Sequence, residues 1–178
     1  MRRAIFTMLL LPTLLLTGLS AGVAKARGIN QTPEAFLAEA FAGHPPPPST
    51  IWLTGPLQKR VSDILQHRYA KLRVKYWRKN DRSAWVLDEI GKEKPITVGI
   101  VIDAGKITEL RVLAFRESRG WEVECSFFTR QFRDATLSAN GRLDREIDGI
   151  TGATLSVRAL EKLARMALLL DQETTNRK

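Results

Sequence analysis

The chain has 178 residues, 28 of them Lys or Arg against 19 Asp or Glu, for a formal net charge of +9. That length holds one ordinary domain with one core. The basic residues are scattered, with no dense block beyond Lys71 to Lys79 and Arg82 and no nucleic-acid-reading motif. The lone cysteine, Cys125, excludes an internal disulfide.

In chain order, Met1 to Ala26 reads as an export signal rather than as part of the fold. Arg2 and Arg3 form a basic start, Ile5 to Leu19 is apolar and Leu-rich, and Ala24-Lys25-Ala26 has the small-x-small form of a cleavage site. Pro12 and a short apolar run argue against a spanning helix, an uncleaved membrane anchor being the alternative. The expected location is therefore periplasmic. There a basic surface is either simply solvated or drawn to anionic partners and lipid headgroups.

Thr32 to Phe41 predicts a short helix, with Thr32 as cap, Pro33 at the first helical position and Glu34 in the first turn. Gly43-His44 and the four prolines Pro45 to Pro48 end it in an extended polyproline spacer, attaching this N-terminal piece loosely. His44 and His67 are the two histidines, with no cysteine beside them, too little for a metal site.

Leu57 to His67 predicts a second helix, with Leu57, Val61, Ile64 and Leu65 on one face. Leu72, Val74 and Tyr76 then alternate with Lys71, Arg73 and Lys75, a half-buried strand with a basic outer side. Asn80-Asp81 turns the chain into a returning strand over Ser83 to Ile90. Ile96 to Ile102 and Ile107 to Phe115 flank Asp103-Ala104-Gly105-Lys106 as a hairpin. Ser126 to Phe132 predicts a short helix capped by Ser126, with Phe128 and Phe132 on one face, and Asn140-Gly141 a turn.

The most informative stretch is Asp148-Gly149-Ile150-Thr151-Gly152-Ala153-Thr154-Leu155-Ser156. Val157, Leu160, Leu163, Ala164, Ala167 and Leu168 follow at helical spacing. Thr154 therefore lies at a helix N-terminus, where open backbone N–H groups favour an anion such as phosphate. Gly152 and Ala153 are small enough for a ligand or a second protein to approach the backbone.

The pattern Asp-x-x-Thr-Gly-Ala-Thr-x-Ser resembles the flavinylation motif of the FMN-binding domain family. That family includes the FMN-carrying subunits of the sodium-pumping NADH:quinone reductase and of Rnf complexes. The resemblance spans roughly Ser83 to Leu170. It implies a phosphoester between FMN and Thr154, made by a Mg-dependent flavin transferase with FAD as donor. Thr151, Gly152, Ala153 and Ser156 complete the motif. Asp148 either presents Thr154 to the transferase or holds the turn. The segment Arg116-Glu117-Ser118-Arg119-Gly120-Trp121-Glu122 is similar to a Glu-Thr-Pro-Gly-Leu-Gly loop that lies beside the flavin in the respiratory members. Glu117, Ser118 and Gly120 match, whereas Arg119 replaces the proline and Glu122 the second glycine. Glu117 and Ser118 are thus candidate flavin contacts. Trp121, Phe127 or Phe128 would suit the flavin ring by stacking, with at least two of the three expected in the core.

The resulting expectation is an α+β fold: a twisted antiparallel sheet with the C-terminal helix packed on it and short N-terminal helices. Its parts are a signal peptide (1–26), an N-terminal helix and Pro-rich linker (27–55), a helix and first strand (56–82), the FMN-binding domain (83–171) and a flexible tail (172–178). No Ser/His/Asp set or thiolate–His pair accompanies the motif. The expected function is an electron carrier between a membrane-bound redox partner and an outside acceptor, with peripheral membrane contact. The rival readings are a reductase of small acceptors, a sensor holding FMN non-covalently, and a periplasmic binding module without flavin.

Overall fold

The structure, a computed structural model, describes residues 30–176. The expected signal segment lies outside the described residues. The first helix is α1 (Pro33–Ala40), and the Thr32 hydroxyl accepts from the Ala35 amide at 3.2 Å, as the capping pattern predicts. Then follow β1 (Ser49–Trp52), α2 (Gly55–Leu65), β2 (Arg73–Lys79), β3 (Arg82–Ile90), β4 (Pro95–Asp103) and β5 (Lys106–Ala114). A 3-10 turn (Trp121–Glu124), α3 (Ser126–Thr129), a second 3-10 turn (Arg130–Phe132) and the long α4 (Thr154–Thr175) complete the described chain.

The five strands form one antiparallel sheet in sequence order. Short connections dictate that order, because each hairpin returns the chain beside the strand it has just left. At the β4–β5 turn both central residues, Ala104 (φ 48°) and Gly105 (φ 77°), are left-handed, as a tight two-residue hairpin needs. The β4–β5 ladder slips register twice, between Thr97 and Val98 and between Val101 and Ile102.

Alternation divides the sheet into two apolar faces. On the inner face Val74, Trp85, Leu87, Val98 and Ile100 meet the apolar stripes of α2 and α4, including Val61, Leu65, Leu160 and Leu163. At about 25 cal/mol per Å2 of apolar surface removed from water, this layer is the main source of stability. On the outer face Phe36, Leu37, Ala40 and Phe41 cover Ala84, Val101 and Leu113. A Cβ on Gly99 would lie 2.7 Å from the Phe36 ring, so α1 sits where β4 has no side chain.

The expected loose attachment of the N-terminal piece is therefore corrected. The prolines lead from α1 straight into edge strand β1, and α1 is packed rather than tethered. The sheet also runs through the expected boundary at 82/83 without a break, since β2 pairs with β3 from Tyr76–Trp85 to Lys79–Arg82.

The expected tail is helical as far as Thr175. Asp171, buried near the end of α4, accepts from Arg78 Nη2 at 2.5 Å and from the Ser83 hydroxyl at 2.5 Å. Trp85 Nε1 donates to Ser83 Oγ at 2.9 Å, and Arg78 Nη2 also reaches Thr174 Oγ1 at 2.9 Å. Of the residues expected in the tail, Thr174 is buried and joins this polar cluster, so the last turn is held against the sheet. No described helix is long and apolar enough to cross a membrane.

Candidate functional site

Helix α4 begins without a side-chain cap, because the cap position is Ala153. The Ala153 amide donates to the Ile150 carbonyl at 3.0 Å, and the Ala153 carbonyl accepts from Val157 N at 3.0 Å. Gly152, at φ 81°, makes the bend that an L side chain would resist. The amides of Thr154, Leu155 and Ser156 are thus the open donors of the first turn. Thr154 is the first helical residue and not its cap; its hydroxyl is exposed and bonds no described residue.

The loop after β5 forms the opposite wall. Arg116 Nη1 ties it to β4 through the Pro95 carbonyl and Thr97 Oγ1, both at 3.1 Å. Glu117 Oε1 then accepts from three consecutive amides of the β3–β4 turn: Lys92 at 2.5 Å, Glu93 at 2.7 Å and Lys94 at 2.9 Å. Partial burial alone would raise the Glu117 pKa, but those amides and the Lys92 charge outweigh it and hold the carboxyl below its ordinary value. Gly91 makes room for this, since a Cβ there would lie 2.9 Å from Glu117 Oε1.

The chain then turns at Gly120 (φ 84°) against the motif. A Cβ on Gly120 would lie 3.1 Å from Ala153 Cβ and 3.3 Å from Ser156 Oγ. Between the walls is an open hollow of about 570 Å3 lined by Lys92, Glu117 to Arg119 and Gly152 to Ser156.

The structure thus brings together Gly152, Ala153, Thr154, Ser156, Glu117 and Ser118. It leaves Asp148 and Thr151 exposed and outside the lining. Asp148 takes part through its backbone, whose amide donates to Gln131 Oε1 at 2.7 Å. Its carboxylate makes no hydrogen bond to a described residue, so the alternative in which that side chain holds the turn is not what is seen. Glu117, expected as a flavin contact, spends one oxygen on the turn amides and acts first as a brace.

Ser126 is the first residue of α3 rather than its cap; Cys125 holds the cap position and gives no side-chain bond. Phe128 and Phe132 do share a buried face, edge to face at 5.8 Å between centroids. The expectation that two of the three aromatics would be core is corrected. Phe128 is buried, whereas Trp121 is 59% and Phe127 58% exposed. Both stand on short, tight turns whose inward positions Val123 and Phe128 already fill. Trp121 follows Gly120 directly, the glycine that packs against Ala153 of the motif.

Sequence reasoning missed Lys92, Gly91 and Gln131. The Gly-Lys-Glu-Lys-Pro run falls between two expected strands. Nothing in it signalled that the turn reaches a loop 25 residues further on. Lys92 and Arg119 are the cations of the lining, and with the open amides they suit a phosphate.

Residues 91–169 match the family model of the FMN-binding domain. The chain carries an FMN-binding domain. Every residue that lines the hollow falls within the matched stretch. Neither a curated protein nor a solved structure is matched by the chain. The donor set of the FMN-binding domain fits the cofactor it is named for. The hollow offers three open backbone N–H groups and two cations, donors of the kind a phosphate takes. In the unmatched part, α1, α2 and β1 to β3 complete the sheet on which α4 rests.

Proposed function

We propose that this FMN-binding domain holds FMN as a phosphoester on Thr154 and serves as a periplasmic electron carrier between a membrane-bound reductase and an extracytoplasmic acceptor. The observation that carries the reading is Thr154 itself. Its hydroxyl is exposed and unbonded, at the positive end of a 22-residue helix, across a hollow from Lys92 and Arg119.

In the attachment step Thr154 Oγ loses its proton and forms a bond to the FMN phosphorus of FAD, and AMP leaves with the pyrophosphate oxygen. A Mg-dependent flavin transferase would perform it. The open amides of Thr154 to Ser156 and the two cations then hold the phosphate charge, and Trp121 offers a flat apolar surface to the ring. FMN supplies the redox chemistry, taking up and releasing one or two electrons. The brace from Glu117 to the Lys92–Lys94 amides ties the loop that carries Arg119 to the turn that carries Lys92, so the cationic lining is set before the anion arrives.

The test is an intact mass of the denatured secreted protein, produced together with a flavin transferase, beside Thr154→Ala. The wild type should gain FMN less one water, and the variant should not. A flavin that leaves on denaturation would favour a non-covalent sensor. Reduction of a small acceptor by the purified holo-protein alone would favour a reductase.

A further inference from the structure

Among the described residues, the outer face of the sheet is covered on one half only. Helix α1 packs on β3 and β4, through Ala84, Gly99 and Val101. Towards the β1 edge the same face carries Thr50, Trp52, Arg73, Lys75 and Trp77. The register pairs Trp52 with Arg73, Thr50 with Lys75, and Trp77 with Ala84 of the outer cluster, so these residues share one side. Trp52 is 52% exposed, with the Arg73 guanidinium 5.4 Å from its ring centroid. Trp77 and Val86 are half-buried where this surface meets the α1 cluster.

The charge on this half is one-sided. Asp88, its acidic residue on β3, is already engaged by Lys71 Nζ at 2.7 Å and by Thr97 Oγ1 at 2.8 Å. Arg73 and Lys75 have no ion-pair partner among the described residues. The face is therefore flat, cationic and edged by an exposed indole. Phosphate headgroups complement the free cations, and an indole is at home at the headgroup level of a bilayer. A bilayer also asks for no pocket.

We infer that the uncovered half of the outer face, centred on Trp52, Arg73 and Lys75, is a docking surface for an anionic lipid bilayer. Docked this way, the sheet lies against the membrane while α4 and the hollow, on the inner face, stay open to soluble partners. The inference stands on a surface remote from Thr154 and does not depend on the flavin reading.

The test is co-sedimentation of the full secreted protein with vesicles of phosphatidylglycerol in phosphatidylcholine, or of phosphatidylcholine alone. The variants are Arg73→Gln with Lys75→Gln, Trp52→Ala, and a charge-matched control, Lys106→Gln with Arg133→Gln, at the β5 side of the molecule. Wild type and control should bind the anionic vesicles and come off as salt is raised. The Arg73/Lys75 pair should bind roughly twenty-five-fold more weakly, about fivefold for each cation removed. Trp52→Ala should weaken binding while keeping the salt dependence. Equal losses in both double variants, equal binding to neutral vesicles, or no vesicle binding by a folded wild type would each overturn the inference. Melting curves of the variants distinguish weak docking from poor folding.

Discussion

Gly120 lies directly against Ala153, so closely that a methyl group on the glycine would come within 3.1 Å of the alanine's. Two segments more than thirty residues apart thus meet through their smallest side chains, and the hollow is what remains open beside that contact. Gly120→Ala should push the walls apart and strain a left-handed backbone. The expected cost is about 1–2 kcal/mol, with flavin incorporation falling further than stability. Urea melting and the ratio of flavin to protein measure the two separately.

Removing the brace should loosen the same wall from the other side. Glu117→Ala strips a shared acceptor from the Lys92, Glu93 and Lys94 amides. The turn is exposed enough for water to take part of the load, so a loss of about 1 kcal/mol is expected. Because the folded pKa lies below the ordinary value of 4.5, the stabilisation is present above that value and fades as pH falls through the folded one. The difference in melting temperature between wild type and Glu117→Gln should therefore narrow in acid.

His67 should give the opposite slope. Its Nε2 lies 2.7 Å from Oε1 of the buried Glu89, and a bond from its other ring nitrogen to the Arg68 carbonyl adds to the effect. Together these raise the imidazole pKa above 6.5 against partial burial and the charge of Lys162. The charged pair adds stability fully below 6.5 and loses it as pH rises through the raised value. The ring is nearly half exposed, so screening keeps the gain below about 1 kcal/mol. His67→Gln should melt lower than wild type in mild acid, and the two should converge in base.

Asp171→Ala should be the most damaging of these changes. It leaves the buried Arg78 charge and the Ser83 hydroxyl without their shared acceptor, an expected loss of about 3–5 kcal/mol. Thermal unfolding checks the magnitude. The fraction that still folds should load flavin normally, because Asp171 sits at the far end of α4 from Thr154.

Much of this was legible in the residues. The Asn80-Asp81 and Ala104-Gly105 turns, the alternation in β2 and the 3.6-residue stripe of α4 each have a local cause, and each element lies where expected. The turn into α4 was legible because Gly152, Ala153 and Thr154 make it within a few residues of one another. The rest depends on meetings that local pattern does not encode. Nothing near Phe36 says that it lands on Gly99, so four prolines read as a tether. Nothing near Gln172 says that Thr174 finds Arg78, so a polar end read as a tail. The aromatics failed for the same reason: whether Trp121 or Val123 turns inward depends on a 3-10 turn whose phase the composition does not reveal.

The division of the hollow between two distant segments bears on when the cofactor can arrive. A nascent or unfolded copy presents the residues around Thr154 as a bare peptide, with no Arg119 or Lys92 opposite. Only a chain that has closed the contact between Gly120 and Ala153 offers a transferase both walls. On the reading proposed above, modification therefore follows folding, and yellow colour in a preparation marks the molecules that reached the native state.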